Sequence, residues 1–180
     1  MHAMDILPSN VVVGKNVYIA PSAYVGGDVT LGDDCTVMQH ATIRGDVSFI
    51  RIGCRVNVQD GVIIHNDIGV PLDIGDDVGI GHRAVLHCRR VGAGTLVGIG
   101  AIVLDSCEIG SRCIIAAGAV VTPNTHIPDG KVVMGIPAAV VRDTHEDERR
   151  YMQKVIDNYI RLGRLHAAGQ YPNVRSHEEP

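Results

Sequence analysis

The sequence predicts an all-β chain, a parallel β-helix built from six-residue repeats, followed by a single C-terminal α-helix. Three observations carry the prediction. An aliphatic residue recurs at every sixth position along most of the 180 residues. The position four further on is also restricted, to small or β-branched residues. The composition lacks large fillers: there is no Trp, a single Phe (Phe49) and five Tyr. An ordinary core uses aromatics to fill irregular volume. A chain without them suits a narrow interior of constant width.

The aliphatic period falls into four runs. The first is Val13, Ile19, Val25, Leu31, Val37 and Ile43; the second is Ile52, Val58 and Ile64; the third is Ile74, Ile80 and Leu86. The last runs from Val91 through Val97, Val103, Ile109, Ile115, Val121 and Ile127 to Val133. The companion position holds residues such as Val29, Cys35, Ala41, Val62, Ala84, Thr95, Cys107, Cys113 and Ala119. One large and one small inward position in every six fit a short strand followed by a tight corner. Three such strands close a triangular coil of about eighteen residues, and the coils stack ~4.8 Å apart. Cys35, Cys107 and Cys113 then read as core filler. The breaks in phase are insertions, one of three residues at Phe49–Arg51 and a corner loop across Asn66–Asp73.

The period ends at Gly135-Ile136-Pro137-Ala138, which puts a β-helix domain at 1–138 and a helix with a polar tail at 139–180. Asp143 or Thr144 is placed to cap the helix, with Glu146 and Asp147 in its first turn. Tyr151, Val155, Tyr159 and Leu162 recur at helical spacing and mark one apolar face. From Gly169 onward the tail is polar.

Composition excludes several functions. A net charge of −4 with mixed signs offers no basic stripe for nucleic acid. No apolar run approaches the ~18 residues of a membrane span. The start, Met1-His2-Ala3-Met4-Asp5, lacks a secretory signal. The five cysteines form no CxxC pair, which reads as reduced thiols in a cytoplasmic protein.

The residue after each inward aliphatic points outward. Arg44, Gln59, His65 and His87 follow Ile43, Val58, Ile64 and Leu86 in this way. Counting faces round the triangle puts Ile43, Ile64 and Leu86 on a first face, Ile74 on a second, and Val58 and Ile80 on a third. Arg44, His65 and His87 thus form one outward column, while Gln59, Asp60 and His82 belong to the third face. His82 lies around a corner from the His65/His87 pair, so a neighbouring prism is the better source of a third imidazole. Three prisms about a three-fold axis, first face against third, would make three equal sites. Three neutral imidazoles leave zinc one open position, as a catalytic site needs. The same donors accept Fe(II) or Co(II).

These residues resemble the γ-class carbonic anhydrase family. The matching segments are Arg44-Gly45-Asp46, Asn57-Val58-Gln59-Asp60, His65, Ile80-Gly81-His82 and Leu86-His87, then the coils ending in Gly135-Ile136-Pro137. The resemblance covers roughly residues 10–165 and implies a left-handed coil, a handedness that the usual right-handed crossover preference would not suggest. It implies a homotrimer that interconverts CO2 and bicarbonate, with His65, His82 and His87 as metal ligands, two from one subunit and one from the next. Gln59 corresponds to the residue that positions the attacking oxygen or the CO2, with Asn57 assisting. Arg44, Asp46 and Asp60 resemble the charged set joining subunits, Arg44 also holding bicarbonate, and Tyr159 resembles a tyrosine over the pocket. The chain departs from the family at Val47 after Asp46, in the short loop Asn66-Asp67-Ile68-Gly69-Val70-Pro71 without glutamate, and at Cys88, where Gly is usual; Cys88 reads as a small structural residue.

Two other classes compete, since fold does not decide function. One is a coenzyme-A-dependent acyltransferase of the hexapeptide type, or a metal-dependent thioesterase. The other is a metal-bearing trimer or assembly subunit without catalysis.

Overall fold

The computed structural model describes residues 9–171; the N-terminal start and the end of the polar tail lie outside them. Short strands of mostly two residues alternate with tight corners, and each strand pairs in parallel with its equivalent on the next coil. The predicted face count holds throughout. On the first face Val25, Ile43, Ile64, Leu86, Val103 and Val121 are successive partners. The second face stacks Leu31, Ile52, Ile74, Val91, Ile109 and Ile127. The third stacks seven, from Ile19 and Val37 through Val58, Ile80, Val97 and Ile115 to Val133. From Leu31 upward these aliphatics are almost entirely buried, which is the continuous core that no single repeat could close alone.

The small inward positions behave as their size requires. Cys35, Cys107 and Cys113 are buried, and each thiol donates to a backbone carbonyl, of Gly53, Thr122 and Pro128 at 3.0, 3.0 and 3.2 Å. Thr95, fully buried, donates to the Gly110 carbonyl at 2.9 Å and accepts the Cys113 N–H at 3.1 Å, so its hydroxyl is satisfied inside the prism. The step from Leu86 to Val91 is one residue short of the period, and Cys88 fills the inward place there. Burial pushes the Cys35 and Cys88 thiols up to about 12, the environment of inert core sulfur.

One insertion is displaced from its predicted position. Gly45 pairs with Gly27 and Ile50 with Val29, so the three extra residues lie within Asp46–Phe49 and not at Phe49–Arg51. Arg51 stays in register opposite Thr30, held by Asp28 at 3.0 Å and lying 4.4 Å over the Phe49 ring. The second insertion is the expected corner loop, Asn66–Pro71, which enters the strand Leu72–Ile74. It stacks on the first: Asn66 Nδ2 donates to the Phe49 carbonyl at 2.9 Å and the Gly69 N–H to the Val47 carbonyl at 3.4 Å. Both insertions therefore bulge at the same corner.

After the last coil the chain turns at Gly135–Pro137, and Ala138–Asp143 pairs antiparallel with Lys131–Gly135 along the edge of the third face. Strand pairing thus continues beyond residue 138. The helix spans Glu146–Ala167 and lies along the third face, against Tyr18–Ile19, Thr36–Val37, Asn57–Val58 and Gly79–Ile80. Its cap is His145 rather than Asp143 or Thr144. Asp143 is drawn into the strand, where it pairs with Lys131, and the Thr144 N–H is taken by the Gly130 carbonyl at 2.8 Å. The His145 N–H donates to Glu148 at 2.8 Å, and acids in the first turn with Arg164 and His166 in the last oppose the helix dipole. The buried stripe is Met152, Ile156 and Gly163, one position on from the predicted one; Tyr151 stays exposed and Val155, Tyr159 and Leu162 flank the contact. Among the described residues no helix is long and apolar enough to cross a membrane.

Candidate metal centre

The predicted site residues fall into two clusters on different faces. The first contains Arg44, Asp46, His65 and His87, with Asp105. Arg44 is opposite His65 in the strand register, and Ile64 opposite Leu86, so the outward column stands as counted. His65 Nδ1 lies 3.2 Å from His87 Nε2, with the ring centroids 5.2 Å apart. The outer nitrogen of each ring meets a carboxylate: His65 Nε2 is 3.1 Å from Asp46 Oδ1, and His87 Nδ1 is 2.5 Å from Asp105 Oδ1. Arg44 holds both oxygens of Asp46, at 2.8 and 2.6 Å. That pair holds the Asp46 carboxyl below its usual range, chiefly through the Arg44 hydrogen bond. Burial is the largest cause of a lowered His65 pKa, so the ring favours the neutral form that a metal requires.

The second cluster contains Asn57, Gln59, Asp60, His82 and Tyr159. His82 Nδ1 is 2.9 Å from Asp60, and its Nε2 faces the Tyr159 hydroxyl at 3.4 Å. The His82 backbone N–H donates to Gln59 Oε1 at 3.2 Å, and Gln59 Nε2 donates to Asn57 Oδ1 at 3.0 Å. Asn57 and Gln59 are buried, and Asn57 Nδ2 has no partner among the described residues. Gly81 allows the tight stacking beneath this cluster: a Cβ there would stand 2.7 Å from the Ile99 nitrogen. Beside the cluster, between the third face and the helix, lies an apolar cleft of about 430 Å³ lined by Leu96, Ile99, Ile114, Tyr151, Val155 and Tyr159.

The geometry tests whether these residues suit a metal. Nitrogens bonded at ~2.0–2.1 Å to one tetrahedral ion stand about 3.3–3.4 Å apart. The His65–His87 separation of 3.2 Å matches that spacing. When both outer nitrogens donate to their carboxylates, the facing nitrogens each present a lone pair that a shared cation can take. The pair therefore fits a divalent metal. Among the described residues of one chain, no three His, Cys, Asp or Glu side chains form a complete group. The third imidazole, His82, is on the other face.

Within one chain Arg44 pairs with Asp46, Asp46 also with His65, and Asp60 with His82. Asp105 was missed altogether. Its signal was available, because it follows His87 by eighteen residues, about one coil.

The chain matches the bacterial transferase hexapeptide (six repeats) family model at residues 10–45 and 90–123. The stretch between those segments holds both insertions and all three histidines. Similar proteins include the mitochondrial γ carbonic anhydrase 2 of Arabidopsis thaliana, 38% identical over 76% of this chain and 50% of that protein. This chain thus spans about half the length of that relative. A carbonic anhydrase of Geobacillus kaustophilus is 39% identical over 73% of this chain and 72% of its own. Among solved structures, a hexapeptide transferase family protein from Anaplasma phagocytophilum superimposes with a TM-score of 0.82 at 33% identity, covering 89% of this chain and 97% of that one. With this coverage and the coil geometry in agreement, the chain belongs to the γ-class carbonic anhydrase-like family of hexapeptide-repeat, left-handed β-helix proteins.

Proposed function

We propose that the protein is a homotrimeric, metal-dependent enzyme converting CO2 and water to bicarbonate and a proton, and the reverse. The observation that carries this reading is the division of the site. Two imidazoles stand at ligand spacing on the first face, while the third, with the Gln59 amide beside it, stands on the third face. Packing first face against third in a closed ring brings His82 of the partner subunit to each His65/His87 pair. The apolar lining of the cleft, with Ile99 and Tyr151 exposed, gives that contact its hydrophobic area.

A divalent ion on three imidazoles, zinc being the ion best suited and Fe(II) or Co(II) acceptable, supplies an oxygen nucleophile near neutral pH by lowering the pKa of water to about 7. The chain does the rest. Gln59 is held at both ends of its amide, by the His82 N–H and by Asn57, so its orientation is fixed before substrate arrives. One N–H of that amide remains for a substrate oxygen. The Tyr159 hydroxyl covers the same spot from the helix. Arg44, anchored on Asp46, places a positive charge beside the His pair, where it favours the product anion.

One observation favours a second reading, a metal-bearing trimer with little turnover. The loop Asn66–Pro71 has only Asp67 as a proton carrier, and that carboxylate already accepts the Ile68 N–H at 2.8 Å. A CO2-hydration assay on protein of measured metal content decides between the two. We expect about one metal per chain, catalysis that follows metal content, and loss of both in His82→Ala. A His82→Ala protein that keeps full metal in elemental analysis would show that His82 is not the third ligand.

A further inference from the structure

Asp105 lies at the corner after Val103, one coil beyond His87; its backbone carbonyl accepts the Asn124 N–H of the next coil at 2.8 Å, which leaves the carboxylate without a role in the stacking. Its side chain is 54% exposed, so it fills no core volume. Among the described residues the only charged or hydrogen-bonding partner of that carboxylate is His87 Nδ1, at 2.5 Å. Asp46 differs, since it is shared between His65 and Arg44.

The consequence follows from imidazole chemistry. A neutral ring carries one N–H, and a carboxylate at Nδ1 keeps the hydrogen there and the lone pair on Nε2. His87 Nε2 is the atom that faces His65 Nδ1 across 3.2 Å. We propose that Asp105 is a positioning residue, which fixes His87 as the Nδ1–H tautomer and presents Nε2 to the cation shared with His65. This rests on the metal-centre reading above. Without Asp105 the ring is free to rotate and to carry its hydrogen on Nε2, which blocks the ligating atom. Outer-shell partners of ligating histidines are typically worth 10–100-fold in metal affinity.

The test uses the assembled protein and two readouts besides activity. The first is zinc affinity, by competition with a chromophoric chelator. The second is the ring-nitrogen NMR pattern of His87 in zinc-free protein, recorded above the imidazole titration range. Asp105→Ala should weaken zinc binding by about 10–100-fold and abolish the pure Nδ1–H pattern. Asp105→Asn, which keeps the shape and an acceptor oxygen but not the charge, should recover part of both and guards against misfolding of the alanine variant. Zinc affinity within about twofold of wild type together with an unchanged tautomer in Asp105→Ala would overturn the proposal. Wild-type protein that binds no zinc would instead overturn the metal-centre reading, and the tautomer pattern alone would then judge Asp105.

Discussion

Gly163 sets how closely the terminal helix lies on the third face, and therefore where Tyr159 stands over His82. A Cβ at Gly163 would meet Thr36 Cγ2 at 2.4 Å and Tyr18 Cβ at 3.3 Å. Carbon atoms in contact normally stand about 3.5–4.0 Å apart, so in Gly163→Ala the helix must lift by about 1 Å at this point. Overpacking of this kind costs about 1–3 kcal/mol, and the better helix propensity of Ala returns about 1 kcal/mol, a net loss of roughly 0–2 kcal/mol. The two terms separate in a second background. Thr36→Ser removes the obstructing methyl, so Gly163→Ala should there become neutral or stabilising by up to about 1 kcal/mol. The difference between backgrounds, about 1–3 kcal/mol, is the coupling between the two positions. Urea titrations of the four proteins at one fixed concentration measure it, the fixed concentration being needed for an oligomer. Equal effects of Gly163→Ala in both backgrounds, within about 0.5 kcal/mol, would refute the packing account.

Three further outcomes are expected. Gln59→Ala should lower kcat/KM for CO2 by about ten- to a hundredfold at every buffer concentration, because substrate orientation precedes proton export; stopped-flow assays read this directly. Wild-type kcat should rise with buffer concentration, since only Asp67 in the loop after His65 can carry a proton; a kcat indifferent to buffer would reveal another internal carrier. The Arg142 ion pair and the His145 N–H pull Glu148 from an ordinary value of 4.5 down to about 2. A carboxyl lowered in the folded state stabilises above its unfolded pKa, so its contribution at the helix start is full above pH 4.5 and fades as the pH falls toward 2. Protection of the His145 amide, taken relative to its intrinsic exchange rate at each pH, should fall over that window, and Glu148→Gln should flatten the response.

The sequence discloses this fold because the constraint on it is local and repeated. Every coil needs the same inward aliphatic and the same small companion, so the period survives even where Thr95 or Cys113 occupies the companion place. Positions fixed by contacts between coils are less legible. The period counts three extra residues between Ile43 and Ile52, but only the pairing of Ile50 with Val29 and the Arg51–Asp28 contact place them at Asp46–Phe49. The helix face was missed for a related reason. Tyr151, Val155, Tyr159 and Leu162 form the more apolar stripe on paper, whereas Met152, Ile156 and Gly163 include a residue whose value is the absence of a side chain. His65, His82 and His87 could be placed because face counting needs only the period. Of their carboxylate partners, Asp46 and Asp60 stand among the residues the sequence singles out, whereas Asp105 required knowing which corner residue reaches across one coil to His87.

The placement of the insertions bears on why the site is where it is. In a perfectly regular prism every outward position of a face is equivalent, and nothing distinguishes one coil as the place for a metal. The bulges at Asp46–Phe49 and Asn66–Pro71 break that equivalence at one corner, and they are tied to each other through Asn66 and Phe49. Asp46 sits at the root of the first bulge, where it leaves the register after Gly45 and turns its carboxylate to both Arg44 and His65. A six-residue step at that point would leave a single residue between Gly45 and Ile50, opposite Asp28, and tie its side chain to the regular corner instead of freeing it to turn toward Arg44 and His65. Shortening Asp46–Phe49 to the regular period, with Asp46 retained, should therefore leave the parallel stack intact while loosening His65. The combination to look for is an unchanged far-ultraviolet circular dichroism spectrum with weakened zinc binding. Unweakened zinc binding in such a variant would mean that the bulge serves only the corner and not the histidine.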